Sequence, residues 1–259
     1  MGDTWVDNHC HLDGEDDAAS IVEEAAASGV AGLVCVGVTV ERSLECMRVA
    51  ATHDGVWATA GVHPHDASGG IDGLEELLDA GREAGTLVAV GECGLDHHYD
   101  HSPRDVQADV FARQVRLAHT YDLPLVIHTR DAWEETFAIL DREGVPERTV
   151  FHCFTGGPAE AAEALERGAM LSVSGIVTFG SAGDLRDAVA AAPMESLMVE
   201  TDSPYLAPVP QRGKRNRPVN VVHVGEKVAE LHGVEVSAVA AATTANACDF
   251  YDLSLPDGA

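Results

Sequence analysis

Eight short apolar runs, each followed by a stretch of helical spacing, constrain this chain more than any other feature of its sequence. The runs fall at 4–6, 32–38, 56–61, 86–91, 125–128, 149–152, 169–173 and 197–200. Helical patterns lie between and after them, as at 104–121, where Phe111, Val115 and Ala118 share a face. Strands that are apolar on both faces and separated by helices read as parallel strands buried from both sides. Eight such units in 259 residues predict an α/β fold, a (β/α)8 TIM barrel in a single domain over 1–259. The rival is an open doubly wound sheet. That reading is weakened because no Gly-rich phosphate loop follows the first run; Asp7-Asn8-His9-Cys10-His11 stands there instead.

Metal-binding residue types recur where those runs end. His9 and His11 close the first, His63 follows the third, and Glu92 closes the fourth. His128 and His152 close the fifth and sixth, and Asp202 follows the eighth. In a barrel all of these converge on the C-terminal rim of the strands, where active sites form. Imidazole and carboxylate together suit Zn, Mn, Fe or Ni, and Mg where carboxylate and water dominate. One histidine at a strand end is ordinarily structural, but ligand types at six strand ends predict a site. Residues i and i+2 of a strand point the same way, so His9 and His11 can hold one ion while Cys10 faces the helices. Cys93 and Cys153 adjoin Glu92 and His152 and read as small packing residues. His53, His65, His119, His223 and His232 lack such placement and are assigned no chemistry. The run His97-His98-Tyr99-Asp100-His101 either lines the mouth of the site or is a solvated loop.

Charge narrows the setting. There are 43 Asp and Glu against 16 Lys and Arg, a net −27, with Lys214 and Lys227 the only lysines. Acid dispersed over the whole chain predicts a halophile surface, since self-repulsion disfavours the compact state at low salt and molar salt screens it. A broad basic face for gripping nucleic acid is excluded. No pair of the six cysteines has CxxC spacing, no run of about 18 apolar residues exists, and the N-terminus lacks a signal pattern. The expectation is a cytoplasmic protein with reduced thiols and no membrane partner.

Several longer segments carry a family resemblance: Asp7-Asn8-His9-Cys10-His11-Leu12-Asp13, Gly61-Val62-His63-Pro64-His65 and Gly91-Glu92-Cys93-Gly94-Leu95-Asp96. Further on stand Ile127-His128-Thr129-Arg130-Asp131, His152-Cys153-Phe154-Thr155-Gly156, Glu200-Thr201-Asp202-Ser203-Pro204-Tyr205 and Arg212-Gly213-Lys214-Arg215-Asn216. In these the chain resembles the TatD family of metal-dependent deoxyribonucleases, within the amidohydrolase-like superfamily. The resemblance implies a TIM barrel with two divalent metal ions, Mg foremost and Mn or Zn as alternatives. It implies that His9, His11 and Asp202 hold one ion, that His128 and His152 hold the other, and that Glu92 bridges both. It implies a Mg-dependent 3′-to-5′ exonuclease acting on the 3′ end of DNA, a monomer and, with the acidic composition, a halophilic archaeon as the source. Asn8, His97 and Arg217 depart from the family pattern, where Thr or Ser, Tyr and Glu are usual.

Two ions about 3.5–4 Å apart can clamp both oxygens of an in-line phosphoryl displacement. The expected catalytic residues are Asp202 as general base, His63 at the scissile phosphate or leaving oxygen, and Glu92 between the ions; Glu200 is expected to orient the rim. Arg212, Lys214 and Arg215, with Arg217, concentrate positive charge after the eighth run and predict a substrate-phosphate clamp. Two other readings keep the barrel: a metal-dependent amidohydrolase acting on an amide, an ester or a base, and a quality-control partner of protein export.

Overall fold

The computed structural model describes residues 3–12 and 17–256; Asp13 of the first motif lies outside them. Eight strands alternate with helices: β1 (Trp5–Cys10), α1 (Ala18–Ala27), β2 (Val30–Cys35), α2 (Val40–Ala50), β3 (Val56–Ala60) and α3 (Leu74–Ala84). There follow β4 (Leu87–Asp96), α4 (Arg104–Tyr121), β5 (Leu125–Arg130), α5 (Trp133–Glu143), β6 (Thr149–Phe151) and α6 (Pro158–Glu166). The last elements are β7 (Met170–Val173), α7 (Gly183–Ala191), β8 (Leu197–Val199), α8 (Val221–His232) and α9 (Val236–Tyr251). Each strand pairs in parallel with the next in sequence, from β1 to β8. The seam between the first and last strands is narrow. It consists of a bridge between Cys10 and Ser203 and bonds from the Asp202 amide to the His9 carbonyl (2.9 Å) and from the His11 amide to the Ser203 carbonyl (2.8 Å). The (β/α)8 barrel expected from the sequence is the fold observed.

Local chemistry accounts for where the helices start and stop. The Thr39 hydroxyl accepts the Arg42 amide (3.2 Å) at the start of α2, satisfying one of the donors that a helix N-terminus leaves bare. Gly157 precedes Pro158 at the start of α6, and the Glu160 carboxylate reaches back to the Gly157 amide (2.8 Å). Gly85 ends α3 with left-handed backbone, φ 69°.

Two strands outrun their apolar patterns. The apolar run of the first strand stops at Val6, and β1 continues through polar Asp7-Asn8-His9 to Cys10, in keeping with the expected placing of His9 at the strand's end. The extension is possible because each polar group finds a partner across the barrel. Asp7 accepts the amide and hydroxyl of Thr201, and Asn8 donates to the Ser172 hydroxyl (2.8 Å) and the Val199 carbonyl (2.7 Å). The β1–β2 register shifts between Asp7 and Cys10, the signature of an inserted residue that re-aims side chains. The other case is β4, which runs on to Asp96, pairing Gly94 with His128 and Asp96 with Arg130.

One apolar cluster takes Val6, Val34, Val88, Val126, Val150 and Met198 from six different strands and is closed by Phe250 and Tyr251 of α9. It is the filled interior that a barrel of this size requires. A second, larger cluster joins strands to helices and contains Cys10 and Cys93, which pack as the sequence suggested, along with Cys35 and Cys46; Cys153, read in the same way, is instead half-buried against the Ser174 hydroxyl (3.2 Å). Among the described residues no helix is long and apolar enough to cross a membrane.

Candidate metal centre

The strand ends bring six histidines and four carboxylates into one connected cluster. Glu92 of β4 stands in its middle. One carboxylate oxygen, Oε1, lies 2.8 Å from His152 Nε2, 3.0 Å from His128 Nδ1 and 3.5 Å from His63 Nε2. The other, Oε2, lies 3.4 Å from His9 Nε2. Asp202 Oδ1 lies 3.3 Å from His11 Nε2 and 3.9 Å from His9 Nε2. The His9 and His152 rings stack at 3.8 Å between centroids. Cys153 (φ 43°) and Asp202 (φ 54°) take left-handed backbone shortly after β6 and β8. Asp tolerates that region better than most residues.

Outer contacts decide which ring nitrogen faces the cluster. His11 Nδ1 donates to the Val36 carbonyl (3.3 Å), which leaves Nε2 as the inward lone pair. His152 Nδ1 donates to Glu200 (3.2 Å), itself buried and accepting the Ser172 hydroxyl. His128 Nε2 donates to Asp96 Oδ2 (3.1 Å), turning Nδ1 toward Glu92. A carboxylate or carbonyl behind each imidazole is the usual means of orienting a metal-binding histidine. His63 differs: its Nδ1 accepts the His65 amide (3.1 Å), so the neutral ring carries its proton on Nε2.

Charge is distributed accordingly. Burial alone would raise the Glu92 carboxyl, but His152, His63 and His128 outweigh it and hold that group well below the usual carboxylate range. Burial likewise opposes charge on His152 and His128, yet Glu92 and Glu200 raise the first, and Asp96 and Glu92 raise the second. Burial drives His63 well below its ordinary value, and burial followed by the nearby His152 charge lowers His9. Asp202 is held low against its burial by His11, His152 and His9.

These residues fit divalent cations. Three groups offer donor atoms within 4.8 Å of one another: His9, His11 and Asp202; His9, His152 and Glu200; and His63, Glu92 and His128. Both ring nitrogens of His9 are buried without a hydrogen-bond partner. Orphaned polar atoms of that kind are costly unless a ligand completes them. The family model of the TatD related DNases matches residues 6–252. The chain belongs to the TatD family. Proteins similar to this chain include YabD, an uncharacterized metal-dependent hydrolase of Bacillus subtilis, 40% identical over 93% of this chain and 96% of its own length. A 3′-5′ ssDNA/RNA exonuclease TatD of Citrobacter rodentium is 36% identical over 92% of this chain and 93% of its own length. The crystal structure of YjjV, a TatD homologue from Escherichia coli K12, superposes with a TM-score of 0.90 at 28% identity, covering 96% of this chain and 98% of that one. This TatD protein is accordingly a metal-dependent hydrolase.

The TatD barrel thus brings together His9, His11, His63, Glu92, His128, His152 and Asp202. It adds two residues to which the sequence alone gave no role. His65 Nε2 and His128 Nε2 both reach Asp96 Oδ2, at 3.0 and 3.1 Å. The alternation His63-Pro64-His65 after β3 was a signal for the first; for Asp96 the signal was its place in a long run of sequence beginning at Gly91. The basic loop is less uniform than its sequence. Arg217 turns away to Glu24 (3.0 Å) and Asp17 (3.5 Å) at α1. Arg212 lies over the Phe179 ring, 3.8 Å from its centroid, and Lys214 bonds Gln211 (2.9 Å). Arg215 shares a crevice with His11, Ser203 and Pro204.

Proposed function

We propose that this TatD-family hydrolase is a metal-dependent exonuclease that removes nucleotides from the 3′ end of DNA. The observation that carries the reading is Glu92, a buried carboxylate held between His9 on one oxygen and His128 with His152 on the other. A carboxylate so placed suits a bridge between two cations. In this reading His9, His11 and Asp202 hold one ion, His128 and His152 the other, and Mg is the expected metal. Bound divalent ions supply Lewis-acid neutralisation at the phosphoryl group and at the attacking water.

The chain's own residues do the rest. Asp202, kept ionised by His11, His152 and His9, accepts the proton that the attacking water gives up. His63, a neutral imidazole with its proton on Nε2, hydrogen-bonds the departing oxygen. Arg215, beside His11, contacts the substrate phosphate, with Arg212 and Lys214 as the outer part of that clamp. Glu200 and Asp96 hold the rings of His152 and His128 in position. The 3′-5′ exonuclease named among the relatives supports the direction of cleavage.

The test uses 3′-labelled and 5′-labelled single-stranded DNA in high-salt buffer with Mg, Mn or EDTA, run beside Glu92→Gln. Stepwise metal-dependent loss of 3′ nucleotides, abolished by the substitution, is the expected result. Folded, metal-loaded protein that cleaves no nucleic acid would refute the nuclease reading and turn the search to amide and ester substrates.

A further inference from the structure

Helix α4 carries two glutamines on its buried face. Gln107 and Gln114 are both fully buried, as is Phe111 between them, and the three repeat at i, i+4 and i+7, one side of a helix. A side-chain amide in an apolar layer is costly unless its polar atoms are bonded. Both amides are bonded, and in the same way. Gln114 Oε1 accepts the Val62 amide (2.8 Å), and Gln114 Nε2 donates to the Val62 carbonyl (3.0 Å). Gln107 Oε1 accepts the Asp96 amide (2.9 Å), and Gln107 Nε2 donates to the Asp96 carbonyl (3.2 Å). Each side chain closes on both polar groups of a single backbone residue.

The two residues so held stand where the barrel runs out of strand. β3 ends at Ala60, and the pairing of Ala60 with Val90 is the last between β3 and β4. From Cys93 to Asp96, β4 pairs with β5 alone. Beyond that point the glutamines supply the backbone partners that a longer β3 would have supplied. Both places matter to the metal centre. Val62 directly precedes His63, and the Asp96 side chain holds the rings of His128 and His65. Gln107 Nε2 also donates to the Ser102 carbonyl (2.9 Å), and the Ser102 hydroxyl donates to the His65 carbonyl (2.9 Å). One helix thus fixes His63, His65 and Asp96, and through Asp96 the ring of His128. His9, His11 and Asp202 are placed otherwise, by the bonds that join β1 to the end of β8, in which α4 takes no part.

We propose that Gln107 and Gln114 are positioning residues for the donor group of His63, Glu92 and His128, and that they set its geometry independently of the group of His9, His11 and Asp202. The proposal rests on the reading of these residues as metal ligands. A ligand set has to be held to within about 0.5 Å of its working geometry by the contacts behind it. Without the side-chain amide, a buried N–H and a buried C=O lose their partners, and a backbone segment in that state shifts to recover them. Loss of either glutamine therefore displaces one half of the centre and leaves the other half where it was.

The experiment strips the full-length chain with a chelator and titrates it with Mn in high-salt buffer, following free Mn by its paramagnetic resonance signal. His11→Ala and His128→Ala assign the two binding phases. Gln107→Met and Gln114→Met keep the length of the side chain and remove its hydrogen bonds. Each should weaken the phase that His128→Ala abolishes by about 10-fold or more, within the range for partners behind a ligand, and leave unmoved the phase that His11→Ala abolishes. Gln107→Glu and Gln114→Glu keep the oxygen that accepts the backbone amide, lose the donor to the carbonyl, and should show the same selective loss should a Met variant fold poorly. Val115→Ala removes a buried side chain from the same helix; it should lower the denaturant midpoint and move neither phase. Glutamine variants that weaken both phases alike, or neither, would overturn the positioning role while His128→Ala still upheld the ligand reading. A His128→Ala protein that kept both phases would overturn the ligand reading itself, and the positioning role with it.

Discussion

Asp96 is the residue on which most of the outer cluster depends. One carboxylate oxygen takes His128 and His65, and the other takes the amides of His98 and Tyr99. Its hydrogen bonds and the His128 charge hold it ionised although burial opposes this. Asp96→Asn keeps the size of the group but removes the charge that orients the His128 ring. It should weaken metal binding about 10- to 100-fold, the usual cost of losing a carboxylate behind a ligand, measured by competition with a chelating dye. Unchanged affinity would mean that Glu92 alone aims His128. The sequence marked out His9, His11, His63, Glu92, His128, His152 and Asp202 because each falls at the end of an apolar run, a position readable in one dimension. Asp96 and His65 were not readable in that way. Their role arises from a contact between the ends of β3, β4 and β5, and nothing in the spacing of β4 shows that the strand continues four residues past Glu92.

Strand β4 illustrates what an element must satisfy to deliver a ligand. It carries Glu92 in its interior, and Gly94 two residues later sits opposite His128 of β5. Gly94 has φ +140°, and a Cβ placed there would overlap the His128 carbonyl oxygen. The close approach of the two strands therefore requires glycine twice over, for backbone conformation and for space. Gly94→Ala should destabilise the protein by about 2–3 kcal/mol, as forcing a side chain into such backbone does, seen as a lower denaturant midpoint. A midpoint equal to wild type would show that β4 and β5 can part without cost. The helix at 104–121 was legible to the residue, since helical spacing is a local property. The true length of β4 was not, because its end beyond Glu92 is held by pairing with β5, which is remote in sequence.

At the scale of the whole molecule, net charge is a property that local pairing does not remove. Arg104, Arg116, Arg167 and Arg217 are each already paired with acidic neighbours, yet the net charge is −27. Most of the acid therefore has no basic partner and repels its own kind. Thermal stability should rise with potassium chloride between about 0.1 and 2 M, over which the screening length contracts from about 10 Å to under 3 Å. A gain of about 5 °C or more corresponds to a few kcal/mol in a domain of this size. A melting temperature indifferent to the salt would sink the idea that self-repulsion limits this fold.

The barrel's narrow seam has a bearing on when the metal-binding group can first be assembled. His9 and Asp202 are joined through the backbone at that seam, although 193 positions of chain separate them, so the one is translated long before the other. A ribosome-bound chain holding β1 to β7 would possess His9, His11, Glu92, His128 and His152 but lack the carboxylate that faces His9 and His11. That three-residue donor group is complete only once the first strand has waited for the last and paired with it.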